Sequence, residues 1–130
     1  MQNGDKYEIK FHVTPNIYNG FITVFNDKNP LHTDEKFAKE KGFKGAVMHG
    51  NILNGFLSYF IGECLPNKNV IIHSQQIDYK LPVYLNDHLI LQATIINYSE
   101  SVNVYEFGFH FINSENKKVA KGKIQIGILK

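Results

Sequence analysis

The chain has 130 residues, of which 43% are apolar and 20% are charged, the composition of a globular protein with one domain over residues 1–130. The net charge of +2 comes from lysines spread along the chain, without the basic stripe that indicates nucleic-acid binding. The single cysteine, Cys64, excludes an intrachain disulfide and favours a reducing compartment. Because no apolar run has the length of a signal peptide or of a membrane span, we expect a cytoplasmic protein that does not enter the membrane.

The first elements along the chain are a strand and a helix. Residues 7–13 alternate apolar and polar side chains, which is the period of a half-buried strand. Thr14-Pro15 is typical of a helix cap followed by proline at the first helical position. It predicts a helix over residues 15–25 whose buried side chains are Ile17, Phe21, Val24 and Phe25.

Two further helices are predicted in the middle of the chain. Thr33 can cap a short helix over residues 34–41, and Gly42 can end it. Residues 50–64 are the most apolar segment, with large side chains around much of the predicted helix (Ile52, Leu53, Phe56, Leu57, Phe60 and Ile61). A helix of this composition is expected to be the buried spine of the domain.

The second half of the chain predicts only strands. They cover residues 70–84, 88–98, 102–112 and 119–129, with Pro82 indicating a bend or an edge position in the first of them. One early strand, one buried helix and four later strands in a meander predict an α+β fold. In this fold a curved antiparallel β-sheet wraps around the central helix.

Asp27 and His32 are the first candidate catalytic residues. Five residues apart on a helix they would point to different faces, but Asn29-Pro30 breaks the helix between them and predicts a tight, irregular turn. An Asp and a His brought together by this turn could hold one water molecule between them. The alternative interpretation is a capped surface turn with a solvated Asp and an incidental His.

His49-Gly50 is the second candidate feature, because Gly50 opens the predicted central helix. Its backbone N–H then belongs to the unpaired donors at the positive end of the helix dipole. A glycine at this position also lets a carbonyl group approach the main chain closely. The alternative is an ordinary helix start with a flexible glycine, and we interpret His49 as structural.

Three segments give the sequence a resemblance to a known family. They read DKNPLHTD at residues 27–34, AVMHG at 46–50 and QQIDYKLPVYLND at 75–87. This combination resembles the MaoC-like, (R)-specific enoyl-CoA hydratase and 3-hydroxyacyl dehydratase family of hot-dog proteins. The resemblance runs from about residue 13 to residue 130.

The resemblance implies a hot-dog fold and a role for each matched residue. Asp27 and His32 would activate water, with Asn29 in the turn between them, and the Gly50 N–H would bind the thioester oxygen. Ser58 would support the catalytic pair or line the pocket. The resemblance further implies a homodimer, a substrate carried by coenzyme A or acyl carrier protein, and neither a metal nor any other cofactor.

Asn51, Asn54 and Ser58 lie at helical spacing on one face of the otherwise apolar central helix. Buried polar side chains need hydrogen-bond partners, which neighbouring strands or a second subunit could supply. The more specific hypothesis is that these side chains face the acyl pocket and favour a short or hydroxylated acyl group.

Two other functions stay open at this point. One is a hot-dog thioesterase, although such enzymes usually have an acidic residue on or near the central helix, and here only Glu63 lies near its far end. The other is a module that binds acyl thioesters without catalysis. For the leading interpretation we prefer coenzyme A over a carrier protein, because the chain shows no basic cluster for docking.

Overall fold

The computed structural model describes residues 1–130, which form one antiparallel sheet and a set of helices. The strands are β1 (Lys6–His12), β2 (Val70–Tyr79), β3 (His88–Ser99), β4 (Val104–Ile112) and β5 (Lys118–Ile128). The helices are α1 (Pro15–Phe25), α2 (Pro30–Thr33), α3 (Glu35–Glu40) and α4 (Asn51–Tyr59), and α4 continues as a π-helical turn over Phe60–Cys64. None of the helices combines the length and the apolar composition that a membrane crossing requires.

The five strands are ordered β1-β3-β4-β5-β2, and every neighbouring pair is antiparallel. The predicted meander of four strands is therefore right only for β3 to β5. β2 pairs with β5 at the far edge, because the chain crosses the whole sheet with its helices before β2 begins. The predicted extension of β2 to Tyr84 is wrong, since the backbone N–H groups of Lys80 and Leu81 both donate to the Val119 carbonyl oxygen and end the regular pairing.

The central helix is the buried spine that the sequence predicts. All six of its large apolar side chains are buried. Phe60 meets Phe107 of β4 edge to face at 5.5 Å between ring centroids, and Phe56 stacks on Phe11 of β1 at 4.3 Å. Aromatic pairs in these orientations add to the free energy gained by burial, so they fix the position of the helix over the sheet.

α1 has the predicted bounds, and Thr14 caps it by accepting a hydrogen bond from the Ile17 N–H. The predicted burial is wrong, because Ile17 and Phe21 are only half-buried and the other two residues are exposed. The side chains of Val24 and Phe25 are 69% and 67% exposed, because α1 meets α4 only with the side that carries Ile17 and Phe21. The apolar stripe of α1 is thus wider than its contact with the rest of the chain.

The segment after α1 is more regular than predicted. Pro30 begins the four-residue helix α2, and α3 follows directly. Asp34, and not Thr33, caps α3 by accepting from the Phe37 N–H, while the Thr33 hydroxyl donates to the carbonyl oxygens of Lys28 and Asn29. Gly42 ends this segment with φ of +94°, as its position predicts.

Substitution of Gly122 tests the close contact between β5 and β2. A Cβ atom at this residue would lie 1.9 Å from the carbonyl oxygen of Gln76, so Gly122→Ala must displace backbone. We expect the substitution to lower the free energy of unfolding by about 2–3 kcal/mol in urea denaturation. Gly108→Ala is the control, because its Cβ would make an ordinary contact of 3.4 Å with Ile96; an equal loss in both variants would contradict this account.

Candidate active site

The turn after α1 is held by its own side chains. Asp27 Oδ1 accepts a hydrogen bond from the Asn29 N–H at 3.2 Å, and Asn29 Oδ1 accepts from the Leu31 N–H at 2.9 Å. The second bond caps α2, whose first residue is Pro30. One oxygen of Asp27 is thereby fixed, and the other, Oδ2, accepts no hydrogen bond from the protein.

His32 is held by two hydrogen bonds, one through its ring and one through its own carbonyl oxygen. Its Nδ1 lies 2.7 Å from the carbonyl oxygen of Val47, which can only accept, so Nδ1 carries a proton. In the neutral ring Nε2 is then an unprotonated acceptor. The Tyr18 hydroxyl donates to the His32 carbonyl oxygen at 2.6 Å. Burial, assisted by Glu35, raises the pKa of Tyr18, so this hydroxyl keeps its proton.

Asp27 and His32 come together as predicted, but not in direct contact. Asp27 Oδ2 and His32 Nε2 are 3.9 Å apart, too far for a hydrogen bond and suited to a bridging water molecule. The side chains are 48% and 18% exposed, respectively, so water reaches both atoms. A carboxylate oxygen and a neutral imidazole nitrogen are both acceptors, and a water between them would donate both of its protons.

His49 contacts both members of this pair. Its side chain is almost fully buried, and its Nε2 donates to the Asp27 carbonyl oxygen at 2.8 Å. The ring lies against His32 at 4.1 Å and against Phe21 of α1 at 4.5 Å between centroids. Its Nδ1 is buried without a hydrogen-bond partner. His49 therefore holds the backbone of Asp27 and the ring of His32 in one packed unit.

Gly50 lies in the cavity that these residues face. The cavity has a volume of about 540 Å³, and its lining includes Asp27, His32, His49, Gly50, Tyr79 and Lys80. Gly50 directly precedes the nine-residue helix α4, so its N–H lies outside the intrahelical hydrogen-bond pattern. A Cβ atom at Gly50 would lie 2.8 Å from the ring of Tyr79, so only glycine allows this ring to cover the helix start.

The polar side chains on α4 have a different arrangement from the one hypothesised. Asn54 Nδ2 donates to Asn51 Oδ1 at 2.8 Å and to Tyr79 Oη at 3.2 Å, and Asn54 Oδ1 accepts from Gln75 Nε2. Burial raises the pKa of the Tyr79 hydroxyl, with the Asn54 hydrogen bond acting in the opposite direction. Asn54 thus binds a neighbouring strand and does not line the cavity that holds Gly50.

Ser58 is not brought to the catalytic pair. It lies two turns further along α4, is exposed, and does not line the cavity that holds Gly50. The reason is the geometry of the helix, because seven residues place Ser58 on the same outward side as Asn51 but about 10 Å along the axis. Of the three polar residues, only Asn51 lines a cavity.

A second cavity of about 700 Å³ adjoins the first, and we call it the α1–α4 groove. Six of its lining residues are apolar: Ile17, Phe21, Val24 and Phe25 from α1, and Ile52 and Phe56 from α4. Asp27, Asn51 and Ile52 line both cavities, so the two meet at the candidate catalytic carboxylate.

Asp27, His32 and His49 also have the residue types of a metal site, with one ligand atom from each lying within 4.8 Å of the others. Their hydrogen bonds restrict this use, because His32 Nδ1 and His49 Nε2 both donate to carbonyl oxygens. The atoms of these residues left without a hydrogen bond are Asp27 Oδ2, His32 Nε2 and His49 Nδ1, and the last of them is buried. The expectation of a site without metal stays a prediction.

The structure adds contributors that sequence reasoning missed. The Val47 carbonyl and the Tyr18 hydroxyl orient His32 from other segments of the chain, and no local sequence pattern predicts either contact. Tyr79 and Lys80 line the cavity where β2 ends. A shorter assignment of β2, stopping before Leu81-Pro82, would have pointed to them.

Residues 2–106 match the family model for the MaoC like domain, and the chain therefore belongs to this family. Among curated proteins it is similar to the (R)-specific enoyl-CoA hydratase of Aeromonas caviae, with 33% identity over 75 residues, or 58% of this chain and 56% of the relative. It is also similar to a mitochondrial 3-hydroxyacyl-[acyl-carrier-protein] dehydratase of Arabidopsis thaliana, with 25% identity over 101 residues, or 76% of this chain and 60% of the relative. The chain spans about half the length of the curated relatives it matches.

Solved structures confirm the hot-dog fold. The unliganded R-hydratase PhaJ1 of Pseudomonas aeruginosa superimposes with a TM-score of 0.89 at 25% identity, over all of this chain and 83% of that one. The (R)-hydratase of Aeromonas caviae gives a TM-score of 0.90 at 23% identity, over 98% of this chain and 97% of that one. Structural neighbours also include a two-component complex, ChsH1-ChsH2 of Mycobacterium tuberculosis.

His49→Ala tests the packed unit beneath the catalytic pair. The substitution leaves a cavity beside His32 and removes the donor to the Asp27 carbonyl oxygen, so we expect the free energy of unfolding to fall by about 2–4 kcal/mol. His88→Ala is the matched control at an exposed position and should change it by about 0.5 kcal/mol or less. Equal effects in urea denaturation would refute the supporting role of His49.

Proposed function

We propose that the protein interconverts a trans-2-enoyl thioester and a 3-hydroxyacyl thioester by adding or removing water. The observation that carries the proposal is the pair of acceptor atoms, Asp27 Oδ2 and His32 Nε2, 3.9 Å apart on the wall of the cavity. Family membership and the similarity to enoyl-CoA hydratases support the same reaction.

In the hydration direction, a water molecule donates to both acceptors and presents its oxygen lone pair to C3 of the enoyl group. As the new C3–O bond forms, the water O–H bond towards His32 breaks and Nε2 takes the proton. The ring becomes an imidazolium whose Nδ1 still donates to the Val47 carbonyl oxygen. Asp27 carries the opposite charge nearby and stabilises this form.

The electrons of the double bond move towards the thioester carbonyl, whose oxygen becomes enolate-like. The Gly50 N–H, at the positive end of the α4 dipole, stabilises that charge. C2 then takes the proton from His32 Nε2, which restores the neutral ring and gives the 3-hydroxyacyl thioester. The (R) configuration of the product is proposed from the relatives.

We take coenzyme A as the carrier in preference to acyl carrier protein. Lys80 is the one lysine that lines the cavity. Its charge can bind one phosphate group of coenzyme A, whereas docking of a carrier protein needs a cluster of basic side chains. The acyl-carrier-protein dehydratases among the relatives make carrier protein the alternative to test. We also propose a cytosolic, reducing location, which is consistent with the single cysteine of the chain.

We further propose a homodimer in which two sheets join at an edge. β2 is an edge strand, and Ile71 and Ile72 on it are 49% and 36% exposed. An exposed edge with apolar side chains is a usual site of pairing with a second chain. Sedimentation at micromolar concentration should give twice the mass of the chain, 14.9 kDa; a monomer would contradict this part of the proposal.

Absorbance of the conjugated enoyl thioester, followed after protein is added to crotonyl-CoA, tests the reaction directly. The wild-type protein should remove the signal, and Asp27→Asn and His32→Gln should each lower the rate by at least about 10²-fold, since each removes a proton acceptor. The matched controls are Asp5→Asn and His12→Gln, which make the same changes outside both cavities, at the β1 edge of the sheet and away from β2.

Retention of activity in both Asp27→Asn and His32→Gln would refute the assigned roles. No reaction of the wild-type protein with enoyl thioesters on either carrier would refute the hydratase. Release of free thiol would indicate a thioesterase instead, and binding without either reaction would indicate an acyl-thioester-binding module.

A further inference from the structure

We propose that the α1–α4 groove receives the acyl tail of the thioester and makes the protein selective for medium-length and longer hydrocarbon chains. The inference rests on the proposed function, because it takes the occupant of the groove to be the acyl part of that substrate. In this proposal the cavity that holds Gly50 binds the thioester end of the substrate, and the apolar groove binds its acyl tail.

The order of lining residues matches the order of atoms in a 2-enoyl thioester. Gly50 and His32 line only the first cavity, Asp27 lines both, and the apolar residues of α1 line only the groove. In the substrate the thioester carbonyl comes first, C3 lies two bonds further, and the tail begins at C4. A carbonyl at the Gly50 N–H and C3 at Asp27 therefore direct the tail into the groove.

The chemistry of the groove also fits a hydrocarbon tail. Its walls are four aliphatic or aromatic side chains of α1 that face Ile52 and Phe56 of α4. The polar lining residues, Asp27 and Asn51, lie at the junction with the first cavity. Val24 and Phe25 are mostly exposed, so a bound tail would remove apolar surface of the protein as well as its own from water. Each methylene buried in this way increases affinity by about fourfold.

This assignment replaces the hypothesis of a hydroxylated acyl group. That hypothesis has Asn51, Asn54 and Ser58 facing the acyl pocket, and of these only Asn51 lines the groove, at its junction with the first cavity. A hydroxyl group far along the tail would find no partner among the apolar walls, which is unfavourable.

Two glycines keep the groove open. Gly20 of α1 and Gly55 of α4 both line it, and a Cβ atom built on either residue meets no atom within 4 Å. Larger side chains at these positions would therefore fill the groove without a clash inside the protein. Both positions are helical, so leucine also improves the helix propensity and the variants should fold.

Titration calorimetry with saturated acyl-CoAs tests the groove without relying on catalysis. For the wild-type protein, the dissociation constant should fall by at least about tenfold from butyryl-CoA to octanoyl-CoA. Gly20→Leu and Gly55→Leu should each remove most of this gain. Gly62→Leu is the matched control: Gly62 follows on the same helix, is exposed with open space around it, and lies outside the groove, so the gain should be retained.

An unchanged gain in both groove variants, or no gain in the wild-type protein, would overturn the inference. A changed sedimentation mass in the groove variants with an unchanged gain would also overturn it, since a second copy of the chain would then cover the groove. Because saturated thioesters cannot be hydrated, the two proposals fail separately. Chain-length discrimination without turnover of either crotonyl-CoA or trans-2-octenoyl-CoA would refute the hydratase and leave the groove assigned.

Discussion

The hydrogen bond from His49 to the Asp27 carbonyl oxygen is the contact on which the arrangement of the site depends. It joins the turn after α1 to the residue before Gly50, two segments separated by 22 positions in the chain. The His32–Val47 hydrogen bond and the backbone hydrogen bond from Val47 to Leu31 run beside it. These three contacts connect the candidate catalytic pair to the start of α4 and set their relative positions.

The connection between β2 and β3 holds this arrangement in place through Val83 and Tyr84. The Met48 N–H donates to the Val83 carbonyl oxygen, and Val47 and Tyr84 form an isolated antiparallel bridge. β2 ends at Tyr79, whose ring covers Gly50, so the end of one strand and the start of the central helix enclose the same cavity. The polar atoms of the site thus come from three chain segments that the sheet brings together. A reaction that needs a water molecule, a proton acceptor and an oxyanion donor at fixed distances is suited to such a frame.

Much of this could be predicted from the sequence, because the informative signals are local. Thr14-Pro15 set the start of α1, and the apolar residues of α4 identified the spine, since both depend on neighbours within one or two turns. The proximity of Asp27 and His32 was predictable for the same reason: Asn29-Pro30 lies between them. The sequence could not reveal the partners of Val47 or Tyr18, nor the exposure of Val24 and Phe25. These depend on contacts between distant segments, and a stripe of apolar residues does not say whether it packs on its own chain, on a ligand or on another copy.

The central claim is that Asp27, His32 and the start of α4 act on one thioester in one cavity. It is tested most directly by a crystal structure of the Asp27→Asn protein soaked with crotonyl-CoA. The account predicts the thioester oxygen within hydrogen-bond distance of the Gly50 N–H, C3 facing residues 27 and 32, and the methyl group pointing towards the α1–α4 groove. A thioester bound elsewhere, or bound with its carbonyl turned away from Gly50, would contradict it.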